Sequence, residues 1–428
     1  MLSKEDNQLL CQIGPGTPMG DVFRRYWNPV LLSEDLPGAD SDPVRVRILG
    51  EDLVAFRNSD GAVGLLAEGC LHRGVSLALG RVEGNGIRCL YHGWKFAATG
   101  QLLETPNTPD VRIRERLKAR AYPTREAGGL VWAYMGPAEH EPPMPAWSFM
   151  NVATANLKVV RLDSGSNYMQ LVEGGADSSH VGILHTNFAR PGWITGEFRA
   201  NEEEDNPAAL ATNDMAPTLD IEDTEFGFHY AAVRALPDEG GQARKNIRIV
   251  PLVMPSTRII PSPAMQFVVF EVPIDDHNTR TISVAHRTDG GHFETGKRYD
   301  EMRGRDNPAL LDQKTFVYLG NWDNRFGQDR KAMAEDWSGI RGVVMEDLAM
   351  SMSPGPIVDR SAEHLVAADA AVVRARRQLL DSVRLLQAGQ SPIGVKADLS
   401  RVAACDETTP AATPWKALAP GHHARVAR

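Results

Sequence analysis

The 428-residue sequence contains no apolar run long enough to cross a bilayer, so we expect no membrane-spanning helix. Its first residues, MLSKEDNQLLCQIGPG, are polar and acidic and do not resemble a secretory signal, which predicts a cytoplasmic location. The chain also lacks a basic excess, because 55 acidic residues outweigh 46 basic ones and give a net charge of −9. Nucleic acid is therefore not expected as a partner.

Cysteine is scarce, and four cysteines in so long a chain do not form the framework of a disulfide-stabilised protein. Cys11 and Cys405 are isolated, and we interpret them as free thiols. The sequence also has no glycine-rich dinucleotide fingerprint, so a nicotinamide cofactor is not expected to bind this chain. The other two cysteines lie close together, between residues 70 and 89.

The secondary-structure pattern changes near a proline-rich stretch, PAEHEPPMPAW (137–147), which resembles a linker. Before it, short strand patterns alternate with glycine and turn residues, whereas long strand and helix patterns after it predict an α+β domain. The predicted helices cover 165–186, 338–352 and 361–387, and the predicted strands cover 226–236, 246–253, 265–273 and 280–287. The predicted parts are an N-terminal helical segment packing on the C-terminal domain (1–42), an all-β domain (43–147) and an α+β domain (148–428).

Two cysteines and two histidines share the stretch CLHRGVSLALGRVEGNGIRCLYHGWKF (70–96). The pattern is Cys-x-His, sixteen residues and then Cys-x-x-His, formed by Cys70, His72, Cys89 and His92. Structural zinc is the first alternative, since zinc accepts mixtures of thiolates and imidazoles. Each arm supplies one Cys and one His, however, so the two cysteines could bind one metal and the two histidines another. This division is typical of a Rieske [2Fe–2S] centre, in which two His replace two Cys on one iron.

A second set of metal ligands is indicated by His180 and His185 in NYMQLVEGGADSSHVGILHTN (167–187). Two imidazoles and one carboxylate form the 2-His-1-carboxylate triad of non-haem Fe(II) oxygenases, which leaves coordination positions open. Side chains five residues apart on an ideal helix point about 140° apart, so we predict a widened or broken turn within 180–185. The alternative is a pair of structural histidines on a core helix.

The carboxylate is expected from another segment, and GIRGVVMEDLAMSM (339–352) offers Glu346 and Asp347. An acidic side chain within an apolar helical stripe is costly unless it is paired or binds a metal. Asp347 falls on such a stripe, whereas Glu346 falls with small residues, so we choose Asp347. The stripe consists of Ile340, Val343, Val344, Asp347 and Met350. An Asp that caps a buried backbone group is the alternative.

Asp177 lies three residues before His180 and is not needed as an iron ligand once Asp347 is chosen. It could serve as a hydrogen-bonding partner of His180, or it could connect that site to the Cys/His cluster. The two roles are compatible.

Nearly the whole chain resembles the large (alpha) subunit of Rieske non-haem iron aromatic ring-hydroxylating oxygenases, most closely the phthalate dioxygenase-like branch. The resemblance rests on both Cys/His loops and on GTPMGDVFRRYWNPV (16–30), QLVEGGADSSHVGILH (170–185) and EDLAMSMSPGPIVDRSAEHL (346–365). It implies an N-terminal all-β Rieske [2Fe–2S] domain and a C-terminal helix-grip domain, an antiparallel sheet with helices, that holds a mononuclear Fe(II). It also implies a head-to-tail homotrimer, or two such trimers stacked as a hexamer.

The resemblance further implies that electrons pass from the cluster of one subunit to the iron of its neighbour. Asp177 matches the family's bridging aspartate, which would link His92 of the cluster to His180 of the iron site. Electrons would come from NAD(P)H through a separate reductase, and O₂ would oxidise an aromatic substrate.

The implied outcomes are hydroxylation, cis-dihydroxylation or O-demethylation of that substrate. Narrower alternatives are phthalate 4,5-dioxygenase-type dihydroxylation and demethylation of a methoxylated aromatic acid. An alternative of a different class, a Rieske electron carrier, would be much shorter and would lack the second ligand set.

Substrates of this branch are typically aromatic carboxylates, for which arginine is the expected binding residue. Arg248 alternates with two isoleucines in NIRIV (246–250) and lies where phthalate-type enzymes are expected to hold such an arginine. Arg244 and Arg258 are rival choices, and a solvated strand arginine is the alternative. A second arginine, expected near ATNDMAP (211–217), is missing there, which favours a monocarboxylate or a methoxylated aromatic acid over phthalate.

Overall fold

The chain divides into two compact units. The computed structural model describes residues 2–186, 210, 214–262, 265–288, 300–301 and 303–419. The smaller unit comprises Gln12–Met144 with Val272–Asp276, and the larger unit comprises Met1–Cys11, Pro145–Glu271 and His277–Arg428. The first helix, α1 (Lys4–Cys11), belongs to the larger unit. The domain boundaries predicted at residues 42 and 147 stay predictions.

The smaller unit is built mainly from short antiparallel strands. Its strands are β1 (Trp27–Leu32), β2 (Val44–Ile48), β3 (Glu51–Arg57), β4 (Val63–Ala67), β5 (Arg81–Glu83), β6 (Gly86–Arg88), β7 (Lys95–Ala97), β8 (Leu102–Glu104), β9 (Thr124–Ala127) and β10 (Leu130–Tyr134). They form three sheets with the orders β1-β10-β9, β2-β3-β4 and β5-β6-β7-β8. Two short helices, α2 (Pro18–Phe23) and α3 (Ile113–Arg116), complete the unit. Phe56, Ile87 and Phe96 are fully buried in one hydrophobic cluster with Cys70 and Cys89, so the two thiols lie in the core.

The larger unit contains one eight-stranded sheet. Its strands are β11 (Leu157–Ser164), β12 (Thr218–Asp223), β13 (Gly227–Glu239), β14 (Gln242–Val253), β15 (Thr257–Ser262), β16 (Met265–Pro273), β17 (Thr279–Arg287) and β18 (Cys405–Pro410). The order is β11-β17-β16-β15-β14-β13-β12, and β18 pairs with β14. The four predicted strands are confirmed as β13, β14, β16 and β17. The α+β fold class, an all-β domain followed by a sheet with helices, is also confirmed.

The helices of the larger unit are shorter than their sequence patterns indicate. They are α4 (Tyr168–Ala176), α5 (Val181–Leu184), α6 (Val343–Met352) and α7 (Ala370–Gln387). The predicted start of α6 at residue 338 is wrong because Gly339 and Gly342 adopt φ values of +66° and +99°, outside the helical region. The predicted start at residue 361 is also wrong, since Ser361 donates to the Asp359 side chain in a turn instead of beginning a helix. Within the described ranges, no helix combines the length and apolar character that a bilayer crossing requires.

Helix α4, which precedes the predicted iron ligands, is fixed by buried polar contacts. The side chain of Asn167 accepts from the Met169 N–H as an N-cap. Its amide donates to the Cys11 carbonyl of α1 (2.9 Å). Further along the helix, the Glu173 carboxylate accepts from the guanidinium groups of Arg360 and Arg376, both at 2.6 Å. These arginines are almost completely buried, so the charge of each requires this partner.

Candidate metal centres

The two Cys/His loops of the smaller unit close in the same way. In the first loop, the Cys70 N–H donates to the Val75 carbonyl (2.9 Å) and the Gly74 N–H donates to the Cys70 carbonyl (2.8 Å). In the second loop, the Cys89 N–H donates to the Trp94 carbonyl (2.8 Å) and the Gly93 N–H donates to the Cys89 carbonyl (3.0 Å). Both glycines adopt left-handed backbone, with φ of +71° and +75°, which other residues rarely accept. The repeated closure presents one Cys and one His from each loop.

The four donors of these loops do not converge on a single point. Among the described residues, one group of three or more His, Cys, Asp and Glu donors lies within 4.8 Å of one another, and Cys70, His72, Cys89 and His92 are not in it. A tetrahedral zinc ion would hold its ligand atoms about 3.6 Å apart, given metal–ligand bonds of about 2.0–2.3 Å. The separation of donors therefore disagrees with one zinc ion and fits two irons bridged by sulfide.

In both loops the cysteine is buried, whereas the histidine is more accessible. Cys70 and Cys89 are each 3% exposed, whereas both histidines are half-buried. The ring centroids of His72 and His92 lie 4.5 Å apart, and His72 stacks on buried Trp94 at 4.8 Å. Burial, together with the neighbouring Cys89, raises the pKa of the Cys70 thiol to about 11. A bound cation would stabilise the Cys70 thiolate against this burial, as a buried iron would.

The second set of predicted ligands converges in the larger unit. His180, His185 and Asp347 each offer a ligand atom within 4.8 Å of the others. The Asp347 Oδ1 atom lies 3.6 Å from His180 Nε2 and 3.1 Å from His185 Nε2. The two imidazole rings are nearly perpendicular, with centroids 5.3 Å apart. Two neutral imidazoles and one carboxylate in this arrangement suit Fe(II) with open coordination positions.

A break in the helix brings the two histidines together. α4 ends at Ala176, and Asp177 is extended, with φ −91° and ψ 117°. The Asp177 Oδ1 atom accepts from the N–H and the hydroxyl of Ser179, both at 2.7 Å, which closes a local turn. His180 and His185 then flank the single turn α5. The distortion predicted within 180–185 is thus misplaced, because the break lies mainly at 177–179, where this turn replaces the helical bonds.

Each histidine has a carboxylate at its outer nitrogen. His185 Nδ1 lies 2.7 Å from Glu346 Oε2, and the Ser338 hydroxyl donates to the other Glu346 oxygen at 2.5 Å. His180 Nδ1 lies 3.5 Å from Asp177 Oδ2. A proton on each Nδ1 leaves each Nε2 lone pair directed towards Asp347, as a metal ligand requires. Glu346, which the sequence pattern offered only as a rival metal ligand, instead contacts the outer nitrogen of His185, a role that was not predicted.

The electrostatics of this site favour a cation. Burial alone would lower the pKa of His185, but the charges and hydrogen bonds of Asp347 and Glu346 outweigh it and raise the pKa to about 10. Burial likewise acts to raise the pKa of Asp177, yet bonds from His180 and Ser179 lower it to about 2. Positive charge is therefore stabilised between these carboxylates, and the donor set fits a bound iron.

Asp347 lies beside both histidines, but it does not lie on a core-facing apolar stripe, which was the reason for choosing it from the sequence. The predicted apolar stripe is not a core-facing stripe, since Met350 is 47% exposed and the Asp347 side chain is 41% exposed. The core-facing residues of α6 are Met345, Glu346, Leu348 and Ala349. Asp347 instead lies at the edge of the buried face, where its carboxylate reaches the histidines.

Arg248 is already paired in the structure. Its Nη1 donates to Asp406 Oδ2 at 2.7 Å, and both side chains are largely buried. Asp406 lies on β18, directly opposite Arg248 in the sheet register. The substrate-binding role of Arg248 stays a prediction. The rivals are paired as well, Arg244 with Glu239 and Arg258 with Glu271 (2.6 Å).

The two donor sets together suit an oxidoreductase that takes up electrons at one centre and exposes open iron positions at the other. Comparisons with known proteins agree with this chemistry. Residues 26–117 match the Rieske [2Fe-2S] domain family, and residues 133–425 match the family described as LigXa C-terminal domain like.

Similar proteins cover nearly the whole chain. The chain is 39% identical over 409 residues to the phthalate 4,5-dioxygenase oxygenase subunit of Pseudomonas putida, covering 94% of this chain and 91% of that one. It is 34% identical to the 3-chlorobenzoate-3,4-dioxygenase oxygenase subunit of Comamonas testosteroni, covering 92% of each. Among solved structures, it resembles a theobromine-bound mutant of Pseudomonas putida CBB5 NdmA, with a TM-score of 0.58, 20% identity and coverage of 88% and 96%.

The chain belongs to the Rieske non-haem iron oxygenases, as an oxygenase (alpha) subunit of the phthalate dioxygenase-like branch. It is an oxidoreductase, and its cofactors are a Rieske [2Fe–2S] cluster and a mononuclear iron. An electron carrier of the Rieske type is excluded because the catalytic domain is present.

Proposed function

We propose that this terminal oxygenase oxidises an aromatic carboxylate by hydroxylation, cis-dihydroxylation or O-demethylation. The observation that carries the proposal is the convergence of His180, His185 and Asp347 in a chain that also holds the divided Cys/His set. The names of both relatives reported above describe dioxygenases of aromatic acids, which supports the substrate class. The metal centre alone does not distinguish the three outcomes, because they depend on what the surrounding residues hold in place.

We assign the ligands accordingly. Cys70, Cys89, His72 and His92 would hold the cluster, which supplies electrons one at a time. His180, His185 and Asp347 would hold the mononuclear iron, which supplies reaction with O₂. Glu346 would orient His185 by accepting a hydrogen bond from its Nδ1–H, and Asp177 faces the Nδ1 of His180.

Asp177 would also form the bridge between the two centres. Its Oδ1 is used by Ser179 and its Oδ2 faces His180, so the carboxylate is held beside the iron ligand. In a head-to-tail trimer, or two stacked trimers, the cluster histidine on the other side of Asp177 would be His92 of a neighbouring subunit. The family resemblance supports this arrangement.

A separate NAD(P)H-dependent reductase would supply the electrons. The similar proteins are named as oxygenase subunits, which points to a system of several components. The chain itself carries no glycine-rich dinucleotide fingerprint. A cytoplasmic location and a place in aromatic catabolism complete the proposal.

Two measurements test this function. Iron and acid-labile sulfide should be found at about three and two per chain, as the two centres require. With a compatible reductase, benzoates, methoxybenzoates and phthalates should then be compared by O₂ uptake and by identification of the products. Coupled oxidation of an aromatic acid would support the proposal, and a protein with both centres loaded that oxidises none of them would refute it.

A further inference from the structure

The sheet of the larger unit carries a buried arginine that neither metal centre uses. Arg234, on β13, is 1% exposed. Its Nε donates to the Asp214 carbonyl (3.0 Å), and its Nη2 donates weakly to the carbonyl and hydroxyl oxygens of Ser178 (3.5 and 3.4 Å). Across the described ranges, no carboxylate forms an ion pair with this guanidinium.

The other arginines on this face of the sheet are already paired. Arg234 lies opposite Asn246 on β14, and Arg248 is two residues further along the same strand, so the three side chains share one face. Arg258, on β15, lies opposite Leu252 of β14 and therefore on the same face. Arg248 and Arg258 each contact a buried carboxylate, of Asp406 (2.7 Å) and Glu271 (2.6 Å) respectively.

Both carboxylate oxygens of Asp406 are engaged by side chains other than Arg234. Its Oδ2 accepts from Arg248, and its Oδ1 accepts from the Asn246 amide at 2.8 Å. The Arg248–Asp406 and Arg258–Glu271 pairs are each neutral, so among the described residues of this face one positive charge remains, on Arg234. A buried charge without an opposite charge is unfavourable, and a bound anion would stabilise it.

The titration of Arg234 agrees with this shortage of negative charge. Burial, and then the positive charge of Arg248, lower the pKa of Arg234, and the negative charges of Asp406 and Asp214 offset this only in part. Arginine nevertheless stays protonated in proteins. A bound anion would therefore stabilise this charge, whereas loss of a proton is not available to it.

The face lies beside the segment that carries the iron ligands. Ser178, which Arg234 contacts, directly follows Asp177, and Asp177 faces His180. Tyr230, on the same face of β13, donates its hydroxyl to the Gly175 carbonyl at the end of α4 (3.2 Å). An anion bound at Arg234 would therefore lie close to the iron-binding segment.

We propose that Arg234 is the main binding residue for the carboxylate of the substrate, and that this site accepts one carboxylate. The inference rests on the proposed oxidation of an aromatic acid and narrows it to a monocarboxylate.

The first test uses the wild-type enzyme with both centres loaded and without reductase, so that nothing is turned over. Calorimetric titration should show benzoate binding about 100-fold more tightly than benzamide, the value of a charged, buried hydrogen-bonded contact. Phthalate should bind no more tightly than benzoate, because the described residues of this face offer its second carboxylate no unpaired cation. Equal affinities for benzoate and benzamide would overturn the proposal, and so would phthalate binding more than about 10-fold tighter than benzoate.

The second test compares Arg234→Gln with Arg248→Gln, which changes the competing candidate for carboxylate binding on the same face. Arg234→Gln should remove the preference of about 100-fold for benzoate and leave benzamide affinity unchanged. Arg248→Gln should change the preference by less than about fivefold, since Asp406 already neutralises that arginine. The reverse order of effects would overturn the assignment. The cluster absorbance and iron content verify folding. If Arg234→Gln does not fold, the wild-type titrations and Arg248→Gln still decide.

Failure of this inference can be told apart from failure of the proposed function. A wild-type enzyme that oxidises no aromatic acid in the presence of reductase would refute the function. A wild-type enzyme that oxidises benzoates, while Arg234→Gln binds benzoate as well as wild type does, would refute only the role of Arg234.

Discussion

The two metal centres are assembled in different ways. The cluster donors all come from residues 70–92, on two loops that repeat one hydrogen-bonded closure. The iron site instead joins His180 and His185 to α6, whose Glu346 lies 161 residues after His185. The first centre is therefore specified by local sequence, whereas the second depends on buried contacts between distant segments. Substitutions in the larger unit should consequently affect the iron without affecting the cluster.

The largest effect is expected from Asp347→Ala. This change removes the carboxylate that, among the described residues, lies near both histidine Nε2 atoms, so the mononuclear iron should be lost and turnover should fall to background. The cluster should keep its absorbance, and the iron content should fall from about three to about two per chain. Asp381→Ala, on the surface of α7, is the matched control and should retain both centres. Retention of the third iron in Asp347→Ala would contradict the assignment.

Asp177→Asn tests the connection between the centres. The amide can still accept from Ser179 through its oxygen, but the group facing His180 becomes a donor and no longer suits a protonated Nδ1. Turnover should fall by about 100-fold or more while both centres stay loaded.

Rapid mixing with O₂ and substrate should show that a pre-reduced cluster in Asp177→Asn remains reduced far longer than in wild type. Ser179→Ala removes a neighbouring hydrogen bond without altering the carboxylate, and it serves as the control. Normal reoxidation of the cluster in Asp177→Asn would rule out the bridging role.

Glu346→Gln should have a smaller effect, because it alters a partner of a ligand and not a ligand. The amide cannot neutralise His185 as the carboxylate does, so iron should bind about 10–100-fold more weakly. Excess Fe(II) should restore most of the activity. Ser338→Ala, which removes only the bond to the other Glu346 oxygen, should weaken iron binding less than Glu346→Gln does. Equal iron affinities for the two variants, measured by chelator competition, would contradict this order.

The difference between the centres also explains what the sequence could predict. The spacing of Cys70, His72, Cys89 and His92 is local, so the pattern alone indicates a divided donor set. The iron-binding histidines were also predictable as a pair, but the turn at 177–179 was not. Its bonds come from the Asp177 side chain and not from helical periodicity.

Sequence periodicity does not predict which side chains and strands from distant segments pair with one another. Helix α6 is apolar almost all round, so no stripe could separate Glu346, which is completely buried, from partly exposed Asp347. Asp406 belongs to an extended tail that pairs with β14, and nothing in either segment indicates that pairing. Arg234 could have been singled out from the sequence, because the alternation of residues between the two faces of a strand that pointed to Arg248 also applies to FGFHYAAVRAL (226–236).

The smallest expected effect compares the two cluster loops with each other. Gly74 and Gly93 have nearly equal positive φ values, so an alanine at either position should cost about 1–2 kcal/mol of backbone strain. A Cβ at residue 74 would meet nothing within 4 Å, whereas a Cβ at residue 93 would lie 3.1 Å from Pro106 Cγ. Because the strain is common to both variants, the difference between them isolates this contact. Gly93→Ala should therefore lose the cluster absorbance at a lower denaturant concentration than Gly74→Ala. Equal midpoints of the two unfolding transitions would show that Pro106 moves aside without loss of stability.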